Sequence, residues 1–158
     1  ATVCLAVPLY QQLSLLKKHA RAILAGTVTG VLTTMATVLV LALLFQLTHE
    51  QYVTFLPKSI TTAIGMGVSE EMGGIVTITV ACIIITGIIG NIIAETVCRL
   101  FHITEPVAKG IAIGSASHAI GTTKAMEMGE IEGAMSSLAI AVSGLCTVLF
   151  ASVFANFI

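Results

Sequence analysis

Residues 111–125, IAIGSASHAIGTTKA, decide how this chain folds. They set His118 among Ser115, Ser117, Thr122 and Thr123, with Gly114 and Gly121 to either side, and Lys109 and Lys124 flank the group. The uncharged core of the stretch, 110–123, is only fourteen residues long. A straight helix needs about 20 apolar residues to cross a hydrocarbon layer of about 30 Å.

Everything around this stretch is apolar. Of 158 residues, 56% are hydrophobic, and only seven are basic and eight acidic. Mean hydropathy is +1.04. Such a composition belongs to a membrane protein. The segments 22–47, 72–94 and 133–158 contain no Lys, Arg, Asp or Glu, and each is long enough to cross at about 1.5 Å per residue. The expected class is all-α, with the lipid bilayer as its solvent. A net charge of −1 offers no basic stripe, so nucleic acid is not an expected partner. Cys4, Cys82, Cys98 and Cys146 form no C-x-x-C pair and read as small hydrophobes. The opening ATVCLAVPLY has no initiator Met and no basic leader, so further N-terminal helices are expected before it.

Lys17, Lys18 and Arg21 precede the first long segment and Arg99 follows the second, whereas 127–132 carries only the acids Glu127, Glu130 and Glu132. The positive-inside rule then places 17–21 and 99–105 in the cytoplasm. On that assignment 22–47 runs outward, 72–97 inward and 134–157 inward. The stretch 106–126 must therefore cross outward as a broken helix, two half-helices joined by unwound backbone near Gly114 and Gly121. Membranes tolerate such backbone only where protein or a watery cavity satisfies it. Residues 1–16, interrupted by Pro8, read as a second broken crossing of opposite direction. The expected architecture is thus an inverted repeat with two discontinuous helices in one domain, 1–158: 1–47 as the remainder of a first repeat, 75–158 as the second. Between them 56–74, LPKSITTAIGMGVSEEMGG, is too short to span and reads as a re-entrant or interfacial segment on the outer side, with Pro57 and Ser59 near a helix start.

His118 is the one histidine inside a membrane segment. Intramembrane ionisable groups mark function by default, and three roles stay open for it: binding an anion, carrying a proton, or supporting the broken backbone. The hydroxyls of Ser115, Ser117, Thr122 and Thr123, with amides at a half-helix N-terminus, offer a small anion several donors. Lys124 or Lys109 is its counter-charge unless each snorkels to the headgroups. Lys58, Ser59, Thr61 and Thr62 repeat the chemistry on the outer side, the alternative being a capped surface turn. Glu95 and Arg99 read as a structural i,i+4 pair. Gly26 with Gly30, and Gly129 with Gly133, match G-x-x-x-G and suit close helix packing within the chain, homo-oligomerisation being the other use. No nucleophile elbow, P-loop, metal-ligand cluster or paired carboxylates appear, so no enzyme activity, cofactor or metal is expected.

The run AKGIAIGSASHAIGTTKAMEMGEIEGAMSSLAIAVSG, together with ATVCLAVPLY and LPKSITTAIGMGVSEEMGGI, resembles the LrgB/CidB family of bacterial membrane proteins over essentially the whole chain. The resemblance implies a multi-pass protein of the bacterial cytoplasmic membrane with a small LrgA/CidA-type partner protein. It implies either of two activities: transport of small carboxylates such as pyruvate, glycolate or glycerate, or holin-like and antiholin-like control of murein hydrolase export and cell lysis. The polar broken helix favours transport. Ala63 and Asn91 stand where the family often has proline, which leaves the geometry of those two elements open.

Overall fold

The computed structural model describes residues 13–158, with side chains from Ala20 onward. Pro8 and most of the broken crossing expected over 1–16 lie outside them. The described chain is an all-α polytopic membrane protein of six helices. They are α1 (Leu13–Leu44), α2 (His49–Phe55), α3 (Thr62–Glu71), α4 (Val76–Leu100), α5 (Pro106–Met128) and α6 (Glu130–Phe154), and a 3-10 turn at Ala155–Phe157 follows. Three stretches, Ala20–Leu44, Val76–Leu100 and Glu130–Phe157, are long and apolar enough to cross a membrane. They match the three uncharged segments of the sequence.

Helix ends follow local chemistry. α1 and α4 stop at residues in left-handed backbone, Gln46 at φ 52° and His102 at φ 55°. In each case the next amide reaches back five residues, Leu47 to the carbonyl of Ala42 and Ile103 to that of Cys98, both at 2.9 Å. These bonds satisfy carbonyls that the helix end orphans. α2 opens with a capping box, Thr48 accepting from the Gln51 amide and the Gln51 side chain accepting from the Thr48 amide.

α5 contains one residue with non-helical backbone, His118 at φ 43°, ψ −143°. The chain reverses there. On the first leg, 106–117, Ser117 lies against Gly90 of α4, while Ala112 and Ile113 line a cavity with Ala94 and Cys98. On the second leg, 119–128, the Asn91 amide donates to the Ile120 carbonyl at 2.9 Å, and Lys124 reaches Glu95 at 3.6 Å. Passing along α4 from residue 98 to 87, the first leg ascends to His118; the second descends again to residue 95. The legs also face one another, with Ile113 and Ala125 in one buried cluster on Ala94 and Gly121 packed on Ser117 and Ile113.

α5 is therefore a re-entrant hairpin whose two ends share one side, and the expected outward crossing over 106–126 is corrected. The error came from reading the acids at 127–132 as an outer loop, although acidic residues contribute little to topology. With the hairpin in place, Lys17, Lys18, Arg21, Arg99, Lys109 and Lys124 all belong to one end, and Lys58 is the sole remaining base. That distribution makes the common end cytoplasmic. α6 in turn runs outward: its start meets Gly110 near the basic end, and the carbonyl of Phe154 accepts from the Tyr52 hydroxyl at 2.9 Å. The loop expected at 127–132 shrinks to Gly129.

α2 and α3 form a second hairpin from the opposite side. At its base the Thr54 hydroxyl accepts from the Ile75 amide (2.8 Å), and the Thr79 hydroxyl donates to the Thr54 carbonyl (2.9 Å) while accepting from the Ser69 hydroxyl (2.7 Å). At its tip Gly65 packs on Ile83, one turn deeper along α4. Hairpin then crossing thus occurs twice in opposite orientation, as 49–71 with α4 and as 106–128 with α6. Since α1 and α6 run in the same direction, the pairing of 1–47 with 106–157 does not hold over the described residues.

Candidate functional site

The tips of the two hairpins meet beside the middle of α4. The outer tip brings Pro57, Ser59 and Ile60, the inner tip Ser115, and α1 and α6 add Thr34 and Thr147; together with Val31, Met35 and Leu56 they enclose a pocket of about 10 Å³. Ser59 and Ser115 are 7% and 6% exposed, and Thr147 is 3% exposed. So this small pocket sets three buried hydroxyls, drawn from three different elements, around a space for one water.

A helix begins at each tip. α3 starts at Thr62 with Thr61 as its N-cap, and no side chain caps it; the second leg of α5 starts after His118. Their N-terminal ends approach from opposite sides of the membrane, and each carries roughly half a positive charge with amides free of intrahelical partners. Lys58 is half-buried in the outer tip and donates to the Ser59 hydroxyl at 3.1 Å. A small anion between the tips would meet donors and positive potential, with few acceptors.

Of the sequence-derived site residues, Lys58, Ser59, Thr61, Thr62, Ser115, Ser117 and His118 all fall at the two tips. His118 makes a structural bond: its Nε2 lies 2.8 Å from the Ile83 carbonyl, which only a donor can satisfy, so Nε2 carries the hydrogen. Its own carbonyl accepts from Thr122, and Thr122 pairs with Ser136 of α6 at 2.7 Å. Thr123 is exposed and bonds to the Ile120 carbonyl and the Asn91 amide. Lys124 lies apart, at the basic end, in a network with Glu127 (3.1 Å) and Glu95 that also holds Arg99. Lys109 lines the same basic-end cavity of about 520 Å³, beside His102, Arg99 and Glu132.

Gly114 and Gly121 are not where the backbone breaks. Gly114 lies against the Ser136 backbone of α6, and Gly121 against the other leg, so both serve close packing. Gly26 and Gly30 likewise admit Ile111 and Ser115 of α5, an internal use of that G-x-x-x-G pair. Thr34 and Thr147 escaped sequence reasoning because they sit inside uncharged spans. A signal existed for Thr147, since Ser136, Ser143 and Thr147 recur at seven and four residues along α6 and form one polar stripe toward the core.

The LrgB-like family model matches residues 1–157. Over 136 residues, 86% of this chain and 59% of the relative, the chain is 43% identical to the holin-like protein CidB of Staphylococcus epidermidis. Over all 158 residues it is 37% identical to the antiholin-like proteins LrgB of Bacillus mycoides and Bacillus cereus, of which it covers 69%. The chain thus spans about three-fifths to two-thirds of these relatives' length. No solved structure matches it. Match and identity together make this chain a member of the LrgB-like family.

Proposed function

We propose that this chain carries small carboxylates across the bacterial cytoplasmic membrane, with the carboxylate bound between the two hairpin tips. The observation that supports this reading is the meeting of two oppositely inserted hairpin tips at a small pocket ringed by the buried hydroxyls of Ser59, Ser115 and Thr147. Lys58, the only base away from the cytoplasmic end, supplies the full charge. Discontinuous helices directing their positive ends at an anionic group near mid-membrane are a recurring transporter device.

A pocket of about 10 Å³ is far smaller than a three-carbon acid, which needs several times the ~30 Å³ that one water occupies in the liquid. The tips must separate to admit substrate, and alternating access follows if one hairpin retreats at a time. Uptake of labelled pyruvate into proteoliposomes tests the reading. Saturable uptake, competed by unlabelled short carboxylates and with KM raised about tenfold or more in Lys58→Gln, as expected for loss of a charged hydrogen-bond partner, is the expected result. Uptake without saturation or competition sinks it.

The relatives' names, holin-like and antiholin-like, favour a second reading, control of membrane permeability and cell lysis together with a small LrgA/CidA-type protein. It requires leakage of unrelated solutes that depends on that partner. The same vesicles, with and without the partner protein, separate the two.

A further inference from the structure

One residue of α4 touches both tips. The carbonyl of Ile83 holds the imidazole of His118 at 2.8 Å. Its side chain, fully buried, places Cδ1 where a side chain on Gly65 of α3 would stand. One turn along, Gly87 has no side chain and the imidazole occupies the space; a Cβ there would lie 2.7 Å from Cε1 and 2.9 Å from Nε2. The inner tip is therefore seated on the Ile83 backbone and over Gly87, and the outer tip on the Ile83 side chain.

The geometry points to Ile83–Gly87 as a positioning element that couples the two tips. This deepens the carrier reading and rests on it: a pocket of about 10 Å³ must widen, and the seat decides whether the tips widen it separately. Close-packed interiors respond to displacement by discrete repacking and not by gradual deformation. A shift of α3 against Cδ1 is met either by rotation of the Ile83 side chain or by movement of α4, and on the coupling proposed the second moves the acceptor of His118. Movement of α4 at Ile83 alters the seats of both tips together.

The test needs no substrate, so its failure is distinguishable from failure of the carrier reading. In a background with Cys4, Cys82, Cys98 and Cys146 replaced by alanine, Ala119→Cys reports the inner tip and Ser59→Cys the outer one. Maleimide labelling rates of the purified full chain are the readout, with melting temperature as the check on folding. Gly65→Ala, on the outer hairpin, is expected to change the rate at Ala119→Cys by roughly threefold or more, the scale of coupling between residues in contact. Adding Ile83→Val removes Cδ1 and keeps the carbonyl, and the rate returns toward the parent value. Ile83→Val also relieves a purely local clash, so coupling is read from the rate at Ala119→Cys and not from recovery of the melting temperature. Reciprocally, Gly87→Ala changes the rate at Ser59→Cys, and this arm decides if Gly65→Ala does not fold. An unchanged rate at the opposite tip, or no recovery with Ile83→Val, overturns the proposal.

Discussion

His118 of the α5 hairpin and Ile83 of the crossing helix α4 are joined by a hydrogen bond of 2.8 Å from ring Nε2 to a backbone carbonyl. His118 is 3% exposed, at φ 43°, in left-handed backbone that costs a non-glycine residue of order 1–3 kcal/mol. The surrounding contacts over-determine the conformation: the ring is fixed at Ile83, the carbonyl at Thr122. Alanine would remove the ring bond and leave a cavity, lowering stability by about 2–4 kcal/mol. Glutamine can present a donor near the Nε2 position, whereas asparagine is too short. Melting temperatures in detergent should fall in the order wild type, His118→Gln, His118→Asn, His118→Ala. If His118→Asn proves as stable as His118→Gln, the ring bond is not what holds the tip.

Thr122 and Ser136 fasten the second leg of α5 to α6 through buried hydroxyls 2.7 Å apart. Removing one partner strands the other, at about 1–3 kcal/mol, while removing both is nearly neutral. Thr122→Val and Ser136→Ala should each destabilise the protein, and the double variant should cost clearly less than their sum. Thr122 also donates to the His118 carbonyl, so Thr122→Val is expected to be the worse of the two. Denaturant titration of the four proteins reads the coupling directly; strict additivity would mean that the hydroxyls do not interact.

The three long spans were legible because absence of charge over twenty or more residues has few explanations. The break in residues 106–126 was legible from its short uncharged core, and the residue types of the site from their polarity. Direction was not legible. It depends on which end of a segment returns to the same side, and a hairpin that turns at one non-glycine residue leaves no composition signal. The glycines drew attention to themselves, yet Gly114 and Gly121 are needed for contact between helices, and His118 makes the turn. Lys124 illustrates the same limit: six residues from His118 in sequence, it sits with Glu95 and Glu127 at the basic end.

Gly110 and Gly67 carry opposite expectations. A Cβ on Gly110 would lie 2.5 Å from the Glu132 carbonyl oxygen and 3.1 Å from the Ser136 amide, both backbone atoms that cannot rotate away. Gly110→Ala must push α5 from α6, at about 1–3 kcal/mol for overpacking. Gly67, exposed within α3, has nothing within 4 Å, so Gly67→Ala should stabilise the protein by about 0.5–1 kcal/mol through helix propensity alone. Thermal unfolding of both variants gives the signs. Destabilisation by Gly67→Ala would show that α3 packs against something beyond the described contacts.

The two ends of the α5 hairpin give the most direct check on topology. Glu105 and Glu127 are both exposed; Glu127 lines the cavity that holds Arg99, Lys109 and Lys124, and Glu105 stands beside it, its carbonyl accepting from the Lys109 amide. A helix crossing from 106 to 126 would separate them by the membrane thickness of about 30 Å; the hairpin leaves them on one face. In the cysteine-free background, Glu105→Cys and Glu127→Cys should both react with a membrane-impermeant maleimide in inside-out vesicles and resist it in intact cells. Lys58 belongs to the hairpin inserted from the other side, so His49→Cys, at the outer end of that hairpin, should show the reverse pattern. Labelling of Glu105→Cys and Glu127→Cys from opposite sides would restore the crossing and remove the meeting of the two tips on which the candidate site depends.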